Sequence, residues 1–177
     1  VNMQKALIVY GTKTGTAAVT AQEIAQVLQN KGVETKVVDA KKEKIKSITE
    51  YELIIVGSGI QMGRWNSEPE NFIKKYKKEL AQKNLALYVN CGSAAEKLNP
   101  EKPEIAANAK TKYLDEKAAK YNLKPVALGF FGAIYNFNTM SWIMRKGMEN
   151  ERPKLAANYK ETAPGVYDTR DIDAIQK

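Results

Sequence analysis

The chain has no histidine, a single cysteine at Cys91 and no long apolar run. Each absence removes a class of chemistry. Without histidine there is no Ser-His-Asp triad, no Cys-His pair and almost no route to a zinc site. One cysteine cannot form an internal disulfide, which points to a reducing, cytoplasmic compartment. The longest mostly apolar stretch, residues 125–135, is far too short to span a bilayer. No secretory leader is expected either, because Val1-Asn2-Met3-Gln4 passes straight into an apolar strand. An enzyme with this inventory would draw its chemistry from a bound cofactor.

What is present fits one globular domain over 1–177. The 177 residues are 44% hydrophobic and 27% charged, enough for a substantial core. The net charge is +8, carried mainly by lysine. Such a balance is either a solvated surface or the means of selecting an anionic partner: an acidic protein, a carboxylated substrate or an anionic lipid surface. No nucleic-acid partner is expected.

Apolar runs and helical periodicity alternate along the chain. Lys5-Ala6-Leu7-Ile8-Val9 reads as a buried strand, and residues 17–31 as a helix closed by Gly32. Residues 33–39 alternate like a second strand, and 40–46 form a solvated charge run. Residues 51–56 read as a third strand stopping at Gly57-Ser58-Gly59. Glu68-Pro69-Glu70 opens a helix that buries Phe72, Ile73, Tyr76 and Leu80. Residues 84–90 and 124–130 read as strands four and five. Residues 100–121 form a polar helix whose weak apolar face is Ile105, Ala109 and Leu114. A last helix opens at 169–177. Strands alternating with helices imply an α/β fold, a doubly wound five-stranded parallel sheet with helices on both faces. In such a sheet ligands sit beyond the carboxyl ends of the strands.

Three of those ends carry unusual loops. Thr12-Lys13-Thr14-Gly15-Thr16 joins a strand to a helix and offers hydroxyls, glycine and free helical N–H groups to a phosphate. Lys13 lies inside the loop, so this is not a Walker A sequence, and the glycine spacing is not that of a dinucleotide fingerprint. The strand ends also lack the acids of a phosphate-accepting receiver domain. The second loop includes Ser58, Gly59, Ile60, Gln61, Met62, Gly63, Arg64 and Trp65. Its glycines admit a flat ring closely, and Trp65 or Met62 would cover it; the alternative is a Trp65 packed at the loop base. The third loop, Asn90-Cys91-Gly92-Ser93, offers backbone amides to a ring edge.

The sequence Thr12-Lys13-Thr14-Gly15-Thr16 resembles the flavodoxin phosphate loop, and the three-loop layout resembles flavodoxins over nearly the whole chain. Within that superfamily, the segment from Tyr51 through Val56-Gly57-Ser58-Gly59-Ile60-Gln61-Met62-Gly63 is similar to menaquinone-dependent protoporphyrinogen dehydrogenases. Phe72-Ile73-Lys74-Lys75-Tyr76 and the segment from Val126 through Ala133 to Met148 are similar too. The resemblance implies strand order 2-1-3-4-5, an insertion around 133–150 after the fifth strand, and FMN sandwiched by the second and third loops. It implies oxidoreduction, with protoporphyrinogen as donor, a quinone as acceptor and a place in haem biosynthesis. The alternative it leaves open is an electron carrier between redox proteins, with an acidic partner matched to the basic surface. A third reading keeps the fold as an interaction module. Ala17 stands where flavodoxins usually carry a second threonine. Residues 139–148, if helical, place Met140, Ile143, Met144 and Met148 on one face, either packed on the sheet or against a hydrophobic substrate or the inner membrane face. Arg64, Arg145 and Lys146 would meet a substrate's carboxylates.

Overall fold

Strand β1 (Lys5–Gly11) sends its side chains alternately into two buried clusters, Leu7 and Val9 into one and Ile8 into the other. The computed structural model describes residues 5–12, 15–61, 64–90, 104–131, 134–136, 161–163 and 166–168. After β1 come α1 (Thr16–Asn30), β2 (Glu34–Asp39), β3 (Leu53–Gln61), β4 (Arg64–Trp65), α2 (Ser67–Leu80) and β5 (Asn84–Asn90). Then follow α3 (Glu104–Lys110), a π-turn (Thr111–Asp115), α4 (Glu116–Lys120), β6 (Ala127–Phe131), β7 (Ile134–Asn136), β8 (Glu161–Ala163) and β9 (Val166–Asp168).

The main sheet runs β2-β1-β3-β5-β6 with every one of these pairings parallel, and β4 folds back antiparallel on β3. The expected five-stranded doubly wound sheet and its order are therefore correct. One face is covered by α1, whose small stripe of Ala17, Ala21 and Ala25 packs with Ile8, Ile55 and Tyr88. Alanines at this spacing let the helix lie close to the sheet. The other face is covered by α2 and the π-turn–α4 segment, through Phe72, Ile73, Tyr76, Leu80, Leu114 and Ala118. Removing these apolar side chains from water is the main force holding the layers together.

Local signals explain the helix ends. Gly32, at φ 80°, closes α1: its N–H bonds to Gln29 O, and the Val33 N–H reaches back to Leu28 O. Asn66 enters α2 in extended conformation, Pro69 sits in the first turn, and Glu68 and Glu70 complement the positive helix end.

Three expectations need correction. The third strand does not stop at Gly57-Ser58-Gly59; these residues still pair with Tyr10 and Gly11 on one side and Tyr88 to Asn90 on the other, and Ile60 and Gln61 extend the strand by pairing with Trp65 and Arg64. The helix expected over 100–121 is interrupted from Thr111 to Asp115, its residues 100–103 lying outside the described set. Finally, β7, β9 and β8 form a small antiparallel sheet where no strands were expected. The helices expected over 139–148 and 169–177 lie outside the described residues.

Candidate functional site

The register of the central strands brings the starts of the three loops together. Gly11 stands opposite Ser58, and Gly59 opposite Asn90, so β1, β3 and β5 end side by side. The chain leaves β1 towards β2 on one side and β3 on the other, which makes this edge the switch point of the sheet.

At the first loop, Thr12 Oγ1 accepts the Gly15 N–H at 2.8 Å. Gly15 has φ 89°, a left-handed conformation that a side chain would strain. It is the N-cap of α1 and makes no side-chain cap, while its carbonyl accepts the Val19 N–H at 3.1 Å. No acid lies in the first turn. The positive end of α1 thus faces the strand ends without a side-chain cap or a competing carboxylate. Thr16 is 3% exposed and engaged within the fold. Ala17 is fully buried on the sheet-facing stripe, so a hydroxyl at this position would enter the packing against Tyr88. Lys13 and Thr14 lie outside the described residues.

The second loop is a hairpin. Ile60 pairs with Trp65 and Gln61 with Arg64, and Met62 and Gly63 between them lie outside the described residues. A Cβ built on Gly59 would stand 3.9 Å from Thr12 Oγ1, which places the first two loops in contact. Ser58 is fully buried; its Oγ donates to Gly59 O at 2.7 Å and accepts the Asn66 N–H at 2.8 Å. Its hydroxyl ties the hairpin to the start of α2. Trp65 is likewise a packing residue. It is 5% exposed in the core, and its indole N–H donates to Tyr113 O at 2.8 Å. The alternative of a tryptophan packed at the loop base is the one the structure adopts. Arg64 is exposed.

Asn90 closes β5, 3% exposed, while Cys91, Gly92 and Ser93 lie outside the described residues. Behind this edge stands Tyr88. Its ring occupies the space that a side chain at Gly57 would need, and its hydroxyl donates to Ala17 O at 2.9 Å. Burial, with a lesser push from Tyr10, raises the Tyr88 phenol far above the ordinary range, so it stays a proton donor. The sequence does not mark Tyr88 as part of the site, and it marks Asn66 only as the end of the second loop.

A family model described as Flavodoxin domain matches residues 7–153. The chain belongs to the flavodoxin-domain family. Among solved structures it is similar to oxidised flavodoxin 1 from Bacillus cereus, with TM-score 0.51 and 18% identity, covering 89% of this chain and 100% of that one. Two-electron reduced Megasphaera elsdenii flavodoxin gives TM-score 0.55 and 15% identity over 71% of this chain and 84% of that one. The rubredoxin oxygen:oxidoreductase of Desulfovibrio gigas gives 0.52 and 16% over 86% of this chain, which spans only 35% of that protein's length. At these identities the likeness is one of fold. No curated protein matches the sequence.

In this flavodoxin-domain chain the hairpin is flanked by a polar cluster. Glu70 Oε1 accepts from Lys117 Nζ at 2.9 Å and from the Tyr121 hydroxyl at 2.8 Å, with Lys120 Nζ at 3.6 Å. Lys117 Nζ also stands 5.9 Å from the centre of the Trp65 ring. Burial works to raise the Glu70 pKa, but the hydrogen bonds from Lys117 and Tyr121 and the lysine charges outweigh it and hold the carboxyl below its ordinary value. The Tyr121 phenol is pushed up to about 12 by burial and by Glu70. Among the described residues no group of His, Cys, Asp and Glu is placed to hold a metal ion, and no helix is long and apolar enough to cross a membrane.

Proposed function

We propose that this chain binds FMN non-covalently at the ends of β1, β3 and β5 and acts in oxidoreduction. The observation that carries the reading is the start of α1: Gly15 in left-handed conformation, fastened to Thr12, with no side-chain cap and no acid in the first turn. That arrangement suits a phosphate dianion. Thr12, Lys13, Thr14, Gly15 and Thr16 would hold the phosphate, mainly by backbone N–H groups. Gly59, Ile60, Gln61, Met62 and Gly63 would lie along one side of the ring, and Asn90, Cys91, Gly92 and Ser93 along the other. FMN, when bound, supplies one- and two-electron transfer. The chain's own part is to bind, orient and screen.

The test is an absorbance spectrum of the purified chain with the cofactor identified by mass, then titration of the apoprotein. FMN should bind more tightly than riboflavin by on the order of a hundredfold, the worth of a few charge-assisted hydrogen bonds to phosphate. Equal affinity for the two, or no flavin at all, refutes the reading.

The finer role has two candidates. Oxidation of protoporphyrinogen with a quinone rests on the resemblance around Tyr51 to Gly63, to which the similar structures add nothing. Peripheral membrane contact and a cytoplasmic site rest on the sequence pattern alone. Electron transfer to an acidic protein has a surface observation behind it. The Tyr76 hydroxyl donates to Ile45 O at 2.7 Å, pinning the 40s segment against α2. Exposed Lys41, Lys42, Lys44 and Lys46 are thereby brought to the same side of the sheet as exposed Lys74, Lys75, Lys77 and Lys78. Anaerobic turnover with protoporphyrinogen and quinone, set against reduction of a small acidic redox protein, separates the two. Only the second should fall steeply with added salt.

A further inference from the structure

We infer that the π-turn Thr111–Asp115 is a positioning device for the second loop, gripping Trp65 at the foot of its hairpin. The inference rests on the assignment of that hairpin to the cofactor. An α-helix consumes its carbonyls in i→i+4 bonds, and a π-turn inserts a residue into that ladder and shifts its register. Here the shift is visible in the bond from the Glu116 N–H to Thr111 O, five residues back. Within the widened turn, Tyr113 O accepts the Trp65 indole N–H at 2.8 Å, across 48 residues of sequence. Leu114, the next residue, is fully buried and fixes which way the turn faces. One turn later Lys117 stands over the Trp65 ring and bonds to Glu70 of α2.

The hairpin needs such an anchor. It has only two paired positions on each strand, Ile60 with Trp65 and Gln61 with Arg64. Isolated two-stranded hairpins are marginal. Its inner side is fastened by the bond from the Asn66 N–H to Ser58 Oγ. The grip on Trp65 is the second fastening and the one that comes from a distant element. Trp65 is therefore a positioning residue: it sets where the paired Gln61 and Arg64 stand at the strand ends without contacting a ligand through its own ring.

The test compares Trp65→Phe, which keeps a ring and removes the N–H, with Tyr76→Phe. The latter deletes a hydrogen bond of similar length on the same face, to Ile45 O, away from the hairpin. Amide hydrogen exchange of the full-length apoprotein reads the anchor directly. In Trp65→Phe the amides of 58–66 should exchange about fivefold faster, and the dissociation constant for FMN should rise about fivefold, the loss of one hydrogen bond. Tyr76→Phe should do neither. Deleting the exposed Lys112 should restore i→i+4 register, rotate the preceding helix by about 100° and mimic Trp65→Phe in exchange. Hairpin exchange unchanged in Trp65→Phe, or changed equally in Tyr76→Phe, overturns the inference. Should the wild type bind no FMN, the cofactor reading falls, while exchange still decides the anchor.

Discussion

Gly57→Ala is the sharpest test of how the sheet is joined to the proposed phosphate loop. A Cβ at Gly57 would overlap the Cζ, Cε1 and Cε2 atoms of Tyr88. The ring has little room to retreat. It is 2% exposed, tilted at 45° against Phe131 with centroids 6.2 Å apart, and held by its hydroxyl to Ala17 O. Overpacking of this kind costs about 1–3 kcal/mol. Swinging the ring aside also breaks the phenol bond, for about 1 kcal/mol more. A loss of about 2–4 kcal/mol is a large part of the roughly 5–15 kcal/mol expected for a domain. With a urea slope of about 2 kcal/mol per molar, the midpoint should fall by about 1–2 M. The same substitution in a Tyr88→Leu background should cost less than about 0.5 kcal/mol, because leucine ends short of the overlapped ring atoms. A penalty below about 0.5 kcal/mol in the wild type, or an equal penalty in both backgrounds, refutes the reasoning.

Two further substitutions bear on the site and its support. Glu70→Gln should destabilise the protein by roughly 1–2 kcal/mol near neutral pH, since it removes the counter-charge of Lys117. Because the folded Glu70 carboxyl titrates below its ordinary value, the wild-type advantage is present above the ordinary carboxylate range. It is lost as pH falls through that range and on through the folded value, so urea midpoints of the two proteins should converge in acid. Thr12→Val removes the acceptor of the Gly15 N–H and should lower the midpoint by the equivalent of about 1 kcal/mol while weakening FMN binding. Thr12→Ser should recover both, as measured by urea unfolding and flavin titration.

The parallel sheet was readable because strands buried on both faces leave plain apolar runs, as in Ala6-Leu7-Ile8-Val9 and Leu53-Ile54-Ile55-Val56. The convergence of the loops followed from alternation alone. What escaped was set by contacts that leave no local trace. Gly57 and Gly59 look like breakers, yet β3 runs through them because ladder bonds need no side chain and the Tyr88 ring fills the space above Gly57. Trp65 in a glycine-rich loop reads as a ring cover, while its partner is a backbone carbonyl distant in sequence. Such a partner has no residue signature. The π-turn was equally hidden, because its apolar contact at Leu114 suits an ordinary helical face. The partners of Ser58 are equally without a residue signature, being main-chain groups of Gly59 and Asn66. Strands of three residues, such as β7 and β8, are too short for alternation to show.

The pairing pattern also orders the assembly of the molecule in time. Every parallel pair joins segments separated by a long connection, the nearest being Lys5 with Glu34. Such contacts close slowly, because loop entropy is lost before any contact is gained. Within the main sheet the β3–β4 hairpin is the exception, a pairing between near neighbours in sequence. It can form and dissolve on the microsecond scale of isolated hairpins, long before the sheet exists. Its final position is held by a segment synthesised well after it. A nascent chain that has emerged only through β5 would therefore carry the hairpin on its bond from the Asn66 N–H to Ser58 Oγ, and its second fastening would come only with the arrival of Tyr113.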